Sequence, residues 1–163
     1  MSRFEEGTKF IDSICGNGKD NVICMSTIAI EPGKDEGACP FSRDVDAFYE
    51  DGVFYISTHA KSTKMQQIKR NQNVAFSVNS EGIAGNGVGE NLGWVLNPKN
   101  AQIREKLRKV FSEWYNFANN EKDENTIILA IRITEARVMR DHGAVRYDLD
   151  FVNRIEGEEA KNR

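Results

Sequence analysis

The chain has 163 residues, 39% of them hydrophobic and 29% charged, enough for one ordinary core and too few for a multidomain machine, since domains run roughly 100–200 residues. With 22 Lys and Arg against 25 Asp and Glu, the formal net charge is −3, which argues against nucleic acid as a partner, because such binders carry a strongly basic face. The longest apolar run, Ile127 to Ile131, falls far short of the roughly 20 residues that span a bilayer, so no membrane segment is expected.

The opening residues MSRFEEGTKFIDSIC carry acids where an export signal has a basic and then an apolar stretch. Cys15, Cys24 and Cys39 are an odd set without C-x-x-C spacing, which fits a reducing cytoplasm and gives no zinc ribbon. Neither His59 nor His142 stands at metal-ligand spacing from another ligand, so no metal is expected.

In chain order, Phe4, Ile11 and Ile14 predict a short amphipathic helix over Arg3 to Cys15, stopped at Gly16-Asn17-Gly18. Val22 to Ile30 is rich in β-branched residues and leads into the turn formers of Glu31 to Gly37, the pattern of a strand and a turn. From Ala38 to Tyr49 the residues alternate. Cys39, Phe41, Arg43, Val45 and Ala47 share one face, and Ser42, Asp44, Asp46 and Phe48 the other. Glu50-Asp51-Gly52 supplies a hairpin turn, and Val53 to Thr58 is apolar enough for a strand covered on both faces.

Thr63 to Arg70 predicts a short helix with a capping-box opening, and Val74 to Val78 a fourth strand. Gly82, Gly85, Gly87, Gly89 and Gly93 suggest a glycine-rich turn or bulged hairpin before a fifth strand at Leu92 to Leu96. Asn97-Pro98 opens what should be the longest helix, with Ile103, Leu107, Val110, Phe111 and Trp114 as its apolar stripe. Strands follow at Thr126 to Thr134, Ala136 to Arg140 and Val145 to Phe151, and a polar tail, expected to fray, begins at Glu156. Together these elements predict a single, mainly β domain with flanking helices, an antiparallel barrel or sandwich rather than a doubly wound sheet.

The stretch Val53 to Val78 carries the chemistry. A strand ends at Ser57-Thr58, a loop presents His59, Lys61, Ser62, Thr63 and Lys64, and a helix starts there, with no acid between Ser57 and Glu81. Free backbone N–H groups, hydroxyls and two lysines so gathered describe an anion site suited to a phosphate. The competing reading is a plain N-cap with solvated lysines. Other signals are weaker. The run Gly82 to Gly89 is not G-x-G-x-x-G, the basic helix with Lys99, Arg104, Lys106, Arg108 and Lys109 reads as a solvated face, and nothing pairs His59 with a nucleophile.

This stretch resembles the core of the FMN-binding split-barrel family, the pyridoxamine 5′-phosphate oxidase-like proteins. There, a strand ending in Thr is followed by a Ser-x-Lys loop and a short helix with an N-x-x-V exit, matched here by Thr58, Ser62-Thr63-Lys64 and Asn71 to Val74. Arg43-Asp44-Val45 matches the family's R-x-V strand one hairpin earlier, and Gly93 and the helix from Asn100 extend the likeness, which covers roughly residues 20 to 115.

The resemblance implies an antiparallel split β-barrel of Greek-key type and a homodimer with FMN in a groove at the subunit interface. It further implies that Ser62, Thr63, Lys64 and Arg43 hold the phosphate, that Ser57 and Thr58 meet the ribityl chain or ring edge, and that the Asp44, Val45 and Asp46 strand runs beside the isoalloxazine. The namesake oxidases have Ser-Arg-Lys where this chain has Ser62-Thr63-Lys64, and a C-terminal Trp that this chain lacks after Trp114. Pyridoxamine phosphate oxidation is therefore not carried over. The expected function is electron transfer from a reduced nicotinamide nucleotide to a small-molecule acceptor, with a non-enzymatic flavin- or haem-binding stress or sensor protein as the alternative. The residues leave FMN and a deazaflavin undistinguished.

Overall fold

A computed structural model describes residues 1–157. The first helix, α1 (Arg3–Cys15), starts as a capping box: the Glu5 N–H donates to Ser2 Oγ at 3.2 Å and the Ser2 N–H to Glu5 Oε2 at 2.8 Å. Its buried face is Phe4, Gly7, Ile11 and Cys15, the helical spacing of one stripe. A side chain at Gly7 would meet Leu149 at 2.6 Å, so the absence of one lets the helix lie close.

Among the described residues eight strands follow: β1 (Asp20–Ile28), β2 (Pro40–Glu50), β3 (Val53–His59), β4 (Asn73–Val78), β5 (Ile83–Trp94), β6 (Thr126–Arg140), β7 (Val145–Asp150) and β8 (Ile155–Glu156). The order β3-β2-β1-β4-β5-β6, with β6 returning to pair with β3, closes a six-stranded antiparallel barrel, and β7 and β8 extend the sheet outward from β6. The barrel expectation holds in its split-barrel form. The hairpin between β2 and β3 turns on Asp51 (φ 49°) and Gly52 (φ 78°), the left-handed pair that matches strand twist.

The barrel interior is filled by Ile23, Met25, Ala47, Tyr49, Phe54, Ile56, Val74, Phe76, Leu129 and Ile131. Helix α2 (Thr63–Arg70) adds Met65 and Ile68 to that core. A second core lies outside the barrel wall, where α3 (Ala101–Val110) and α4 (Tyr115–Ala118) bring Leu107, Phe111 and Tyr115 onto Phe48, Val95 and Ile128. Both faces of Ile127 to Ile131 are covered, which is why that segment is apolar throughout.

Three elements differ from their sequence-based expectation. The glycine-rich stretch is one twelve-residue strand, β5, with register shifts at Asn86/Gly87 and Asn91/Trp94. The two strands expected between Thr126 and Arg140 are one, β6. The helix after Asn97-Pro98 is interrupted, a 3-10 turn at Pro98–Asn100 leading into α3 and then α4, so α1 with 13 residues is the longest helix. Glu156, expected to begin a frayed tail, pairs in β8 and accepts from Arg3 Nε at 2.8 Å; the rest of that tail, 158–163, lies outside the described residues.

Candidate functional site

Alternation along β2 and β3 decides which candidate side chains can meet. In β2, Arg43 stands opposite Met25 of β1 and shares its row with Val45 and Ala47, the row that faces the barrel core. In β3 the inward row is Phe54, Ile56 and Thr58. These rows bring Arg43 and Thr58 toward the barrel end where α2 sits.

There Lys64 Nζ donates to Thr58 Oγ1 at 3.1 Å. Arg43 Nη1 donates to Thr27 Oγ1 at 2.6 Å and Nη2 to Gln67 Oε1 at 2.8 Å, while the Thr27 hydroxyl closes the triangle by bonding Gln67 Oε1. The Phe41 ring covers the guanidinium at 4.8 Å. Burial lowers the pKa of Arg43, and burial followed by the Arg43 charge lowers that of Lys64. The two cations therefore feel each other, and among the described residues neither forms an ion pair with a carboxylate.

Ser62, not Thr63, is the N-cap of α2, and its side chain makes no capping bond. Its Oγ is buried without a hydrogen-bond partner, an arrangement that costs roughly 1–3 kcal/mol when left unmet. Thr63 is exposed in the first turn, which holds no acid. Two half-buried cations, an unmet hydroxyl and the free N–H groups of a helix start thus adjoin one another, and this donor set suits a phosphate dianion.

The remaining candidates lie elsewhere. Ser57 points to the opposite face from Thr58 and bonds Asn119 beside α4, because neighbouring residues in a strand alternate. Val45 packs against the barrel core. Asp44 and Asp46 are on the outer row of β2, opposite Cys24 and Val22. Burial and the Asp46 charge raise the pKa of Asp20, so that acidic pair marks the outer wall rather than the phosphate corner.

Two residues of the corner were not among the sequence candidates: Thr27, fully buried, and Gln67, 4% exposed. Thr27 follows Ile23 and Met25 in the inward row of β1, and Gln67 shares the buried face of α2 with Met65 and Ile68; a polar residue continuing an apolar pattern was the available signal. The basic helix differs from its expected solvated face. Arg104 and Arg108 pair with Glu121, and Lys106 with Glu50. His59 accepts the Lys61 N–H at Nδ1 and faces Asp123 with Nε2, so both ring nitrogens are engaged. A cleft of about 790 Å³ lies over β4 to β7, lined by residues such as Ala75, Gly85, Arg137 and Asp148, and none of the candidate residues borders it.

No family model and no curated protein matches the sequence. Solved structures share the fold. A Clostridium acetobutylicum protein related to general stress protein 26 of B. subtilis, of the pyridoxinephosphate oxidase family, superposes with a TM-score of 0.57 at 12% identity, covering 94% of this chain and 99% of that one. A FAD-binding protein from Mesorhizobium loti gives 0.58 at 15% identity over 79% of this chain and 90% of that one. A heme binding protein from Mycobacterium smegmatis gives 0.64 at 12% identity over 92% of this chain and 58% of that one. The chain has the split-barrel fold of the pyridoxamine 5′-phosphate oxidase-like proteins.

Proposed function

We propose that the protein is an FMN-binding flavoprotein, and that Arg43, Ser62, Thr63 and Lys64 hold the phosphate of the cofactor. The observation that carries this reading is the pair of half-buried cations resting on neutral acceptors beside the unpartnered Ser62 hydroxyl. A phosphate monoester near pH 7 carries about −1.5 to −2 charges and several strong acceptor oxygens, which answers both deficits at once. Thr58, tied to Lys64, lies between this corner and the ribityl chain. When bound, the flavin supplies the redox chemistry; the chain's own residues bind and orient it. The backbone of Asp44, Val45 and Asp46 is offered to the ring edge.

On this reading a second copy of the chain completes the groove, giving a homodimer with FMN at the interface. Support comes from Phe41, which is 51% exposed at the end of the β2 row that carries Arg43 and leaves apolar surface beside the corner for that copy to cover. The activity that fits is electron transfer from NADH or NADPH to a small-molecule acceptor in the cytoplasm, where free Cys15, Cys24 and Cys39 remain reduced.

The test is a titration of the purified protein with FMN, followed by visible absorption and flavin fluorescence. Binding at micromolar FMN is expected, and Arg43→Ala and Lys64→Ala should each weaken it by about 1–3 kcal/mol. No binding at that concentration ends the reading. The second reading, a non-enzymatic flavin- or haem-binding role, is supported by the heme binding protein that shares the fold. Bound flavin that NADH and NADPH cannot reduce would select that role.

A further inference from the structure

The guanidinium of Arg43 is held in an uncommon way. A half-buried arginine is ordinarily steadied by a carboxylate, which gives a strong bidentate pair and cancels the charge. Here Thr27 and Gln67 occupy those positions, at 2.6 and 2.8 Å. Both are deeply buried, Thr27 completely and Gln67 at 4% exposure, and they bond each other as well as the arginine. A threonine hydroxyl and a glutamine carbonyl aim the N–H groups without taking away charge. Lys64 repeats the pattern on the Thr58 hydroxyl. Burying these polar side chains in a barrel end otherwise filled by Met65, Ile68 and Met25 has a cost that an apolar pair would avoid.

We propose that Thr27 and Gln67 are positioning residues, which fix the Arg43 guanidinium toward the phosphate of the cofactor while leaving its full positive charge for that phosphate. This inference rests on the FMN reading given above. It makes neutrality at position 67 the property that matters. A carboxylate there would hold Arg43 at least as firmly, and would compete with the ligand for it.

The two consequences have opposite signs, and this separates positioning from plain structural support. Gln67→Glu is expected to keep the thermal stability of the parent and to lose at least about tenfold in FMN affinity, which corresponds to about 1.4 kcal/mol. Its affinity for riboflavin, which has the same ring and chain but no phosphate, should not change. Thr27→Val removes the hydroxyl at nearly constant volume and should also lower FMN affinity selectively; Thr27→Ser should restore it.

Fluorescence titrations of the full chain with FMN and with riboflavin, alongside thermal melts, read all of these. If Gln67→Glu and Thr27→Val bind FMN as the parent does, the inference is overturned. It is also overturned if they lose FMN and riboflavin equally, since the effect is then structural. A parent that binds FMN no better than riboflavin removes the inference and the phosphate assignment with it, and leaves only flavin binding standing. A parent that binds neither removes both. Should Gln67→Glu fail to fold, the Thr27→Val and Thr27→Ser comparison decides.

Discussion

Lys64 shows how one side chain links the fold to the ligand. Burial and the nearby Arg43 charge lower its pKa from the ordinary lysine value. Between the folded and unfolded pKa values the native state holds fewer protons than the unfolded state, so stability contributed by this group rises with pH through that alkaline window. A bound dianion reverses the preference and favours the protonated amine. FMN affinity should therefore fall as pH is raised through the Lys64 titration, and Lys64→Arg should carry the fall to higher pH. Titrations between neutral pH and about pH 10 check this, and affinity flat across that range in both proteins would dissociate Lys64 from the phosphate. At this scale the site was partly legible. The acid-free loop around Ser62 and Lys64 and the inward row of Arg43 are sequence patterns. The separation of Ser57 from Thr58 follows from alternation too. The Thr27–Gln67 clasp depends on β1 and α2 meeting at the barrel end, a tertiary fact that local sequence does not contain.

Among the elements, β5 and the α3–α4 corner show where local propensity misleads. Glycine disfavours strands, so the four inside β5, Gly85, Gly87, Gly89 and Gly93, obscured it. At two of them the reason is the neighbouring strand: a side chain at Gly85 would lie 2.2 Å from the Glu135 carbonyl oxygen, and one at Gly87 2.6 Å from that of Arg132. Gly85→Ala should accordingly destabilise the fold by about 1–3 kcal/mol, measured by urea unfolding. The α3–α4 corner is organised by Glu121, which accepts from Arg104 Nε and Nη2 at 2.7 and 2.6 Å, Arg108 Nη1 at 3.1 Å and the Tyr115 hydroxyl at 3.0 Å. Hydrogen bonding from Arg104 leads the effects that hold its carboxyl below the usual range. That stability is present above the usual carboxylate pKa and is lost as pH falls through the depressed one. Glu121→Gln should cost about 1–3 kcal/mol at pH 7, with the difference from the parent shrinking in acid. The charge run of α3 looked like a solvated face in sequence because its counter-charges come from outside the helix, Glu121 from just after α4 and Glu50 from the end of β2.

For the whole molecule, the barrel was readable from strand number and turn spacing, whereas its closure was not, since the pairing of β3 with β6 joins segments far apart in the chain. If the cofactor lies between two copies, FMN should raise both Tm and the dimer fraction by mass action, and sedimentation of the protein with and without FMN reads this. A monomer unchanged by saturating FMN would place the whole site on one subunit. The β3–β6 ladder, Val53↔Arg132 through His59↔Thr126, also sets an order on synthesis. Until Thr126 to Arg132 leave the ribosome, the free side of β3 has no native partner, and a nascent chain stalled before that point exposes it as a template for another chain. A pause in translation ahead of β6 would thus leave both β3 and β5 without the strand that joins them, an interval open to wrong pairing.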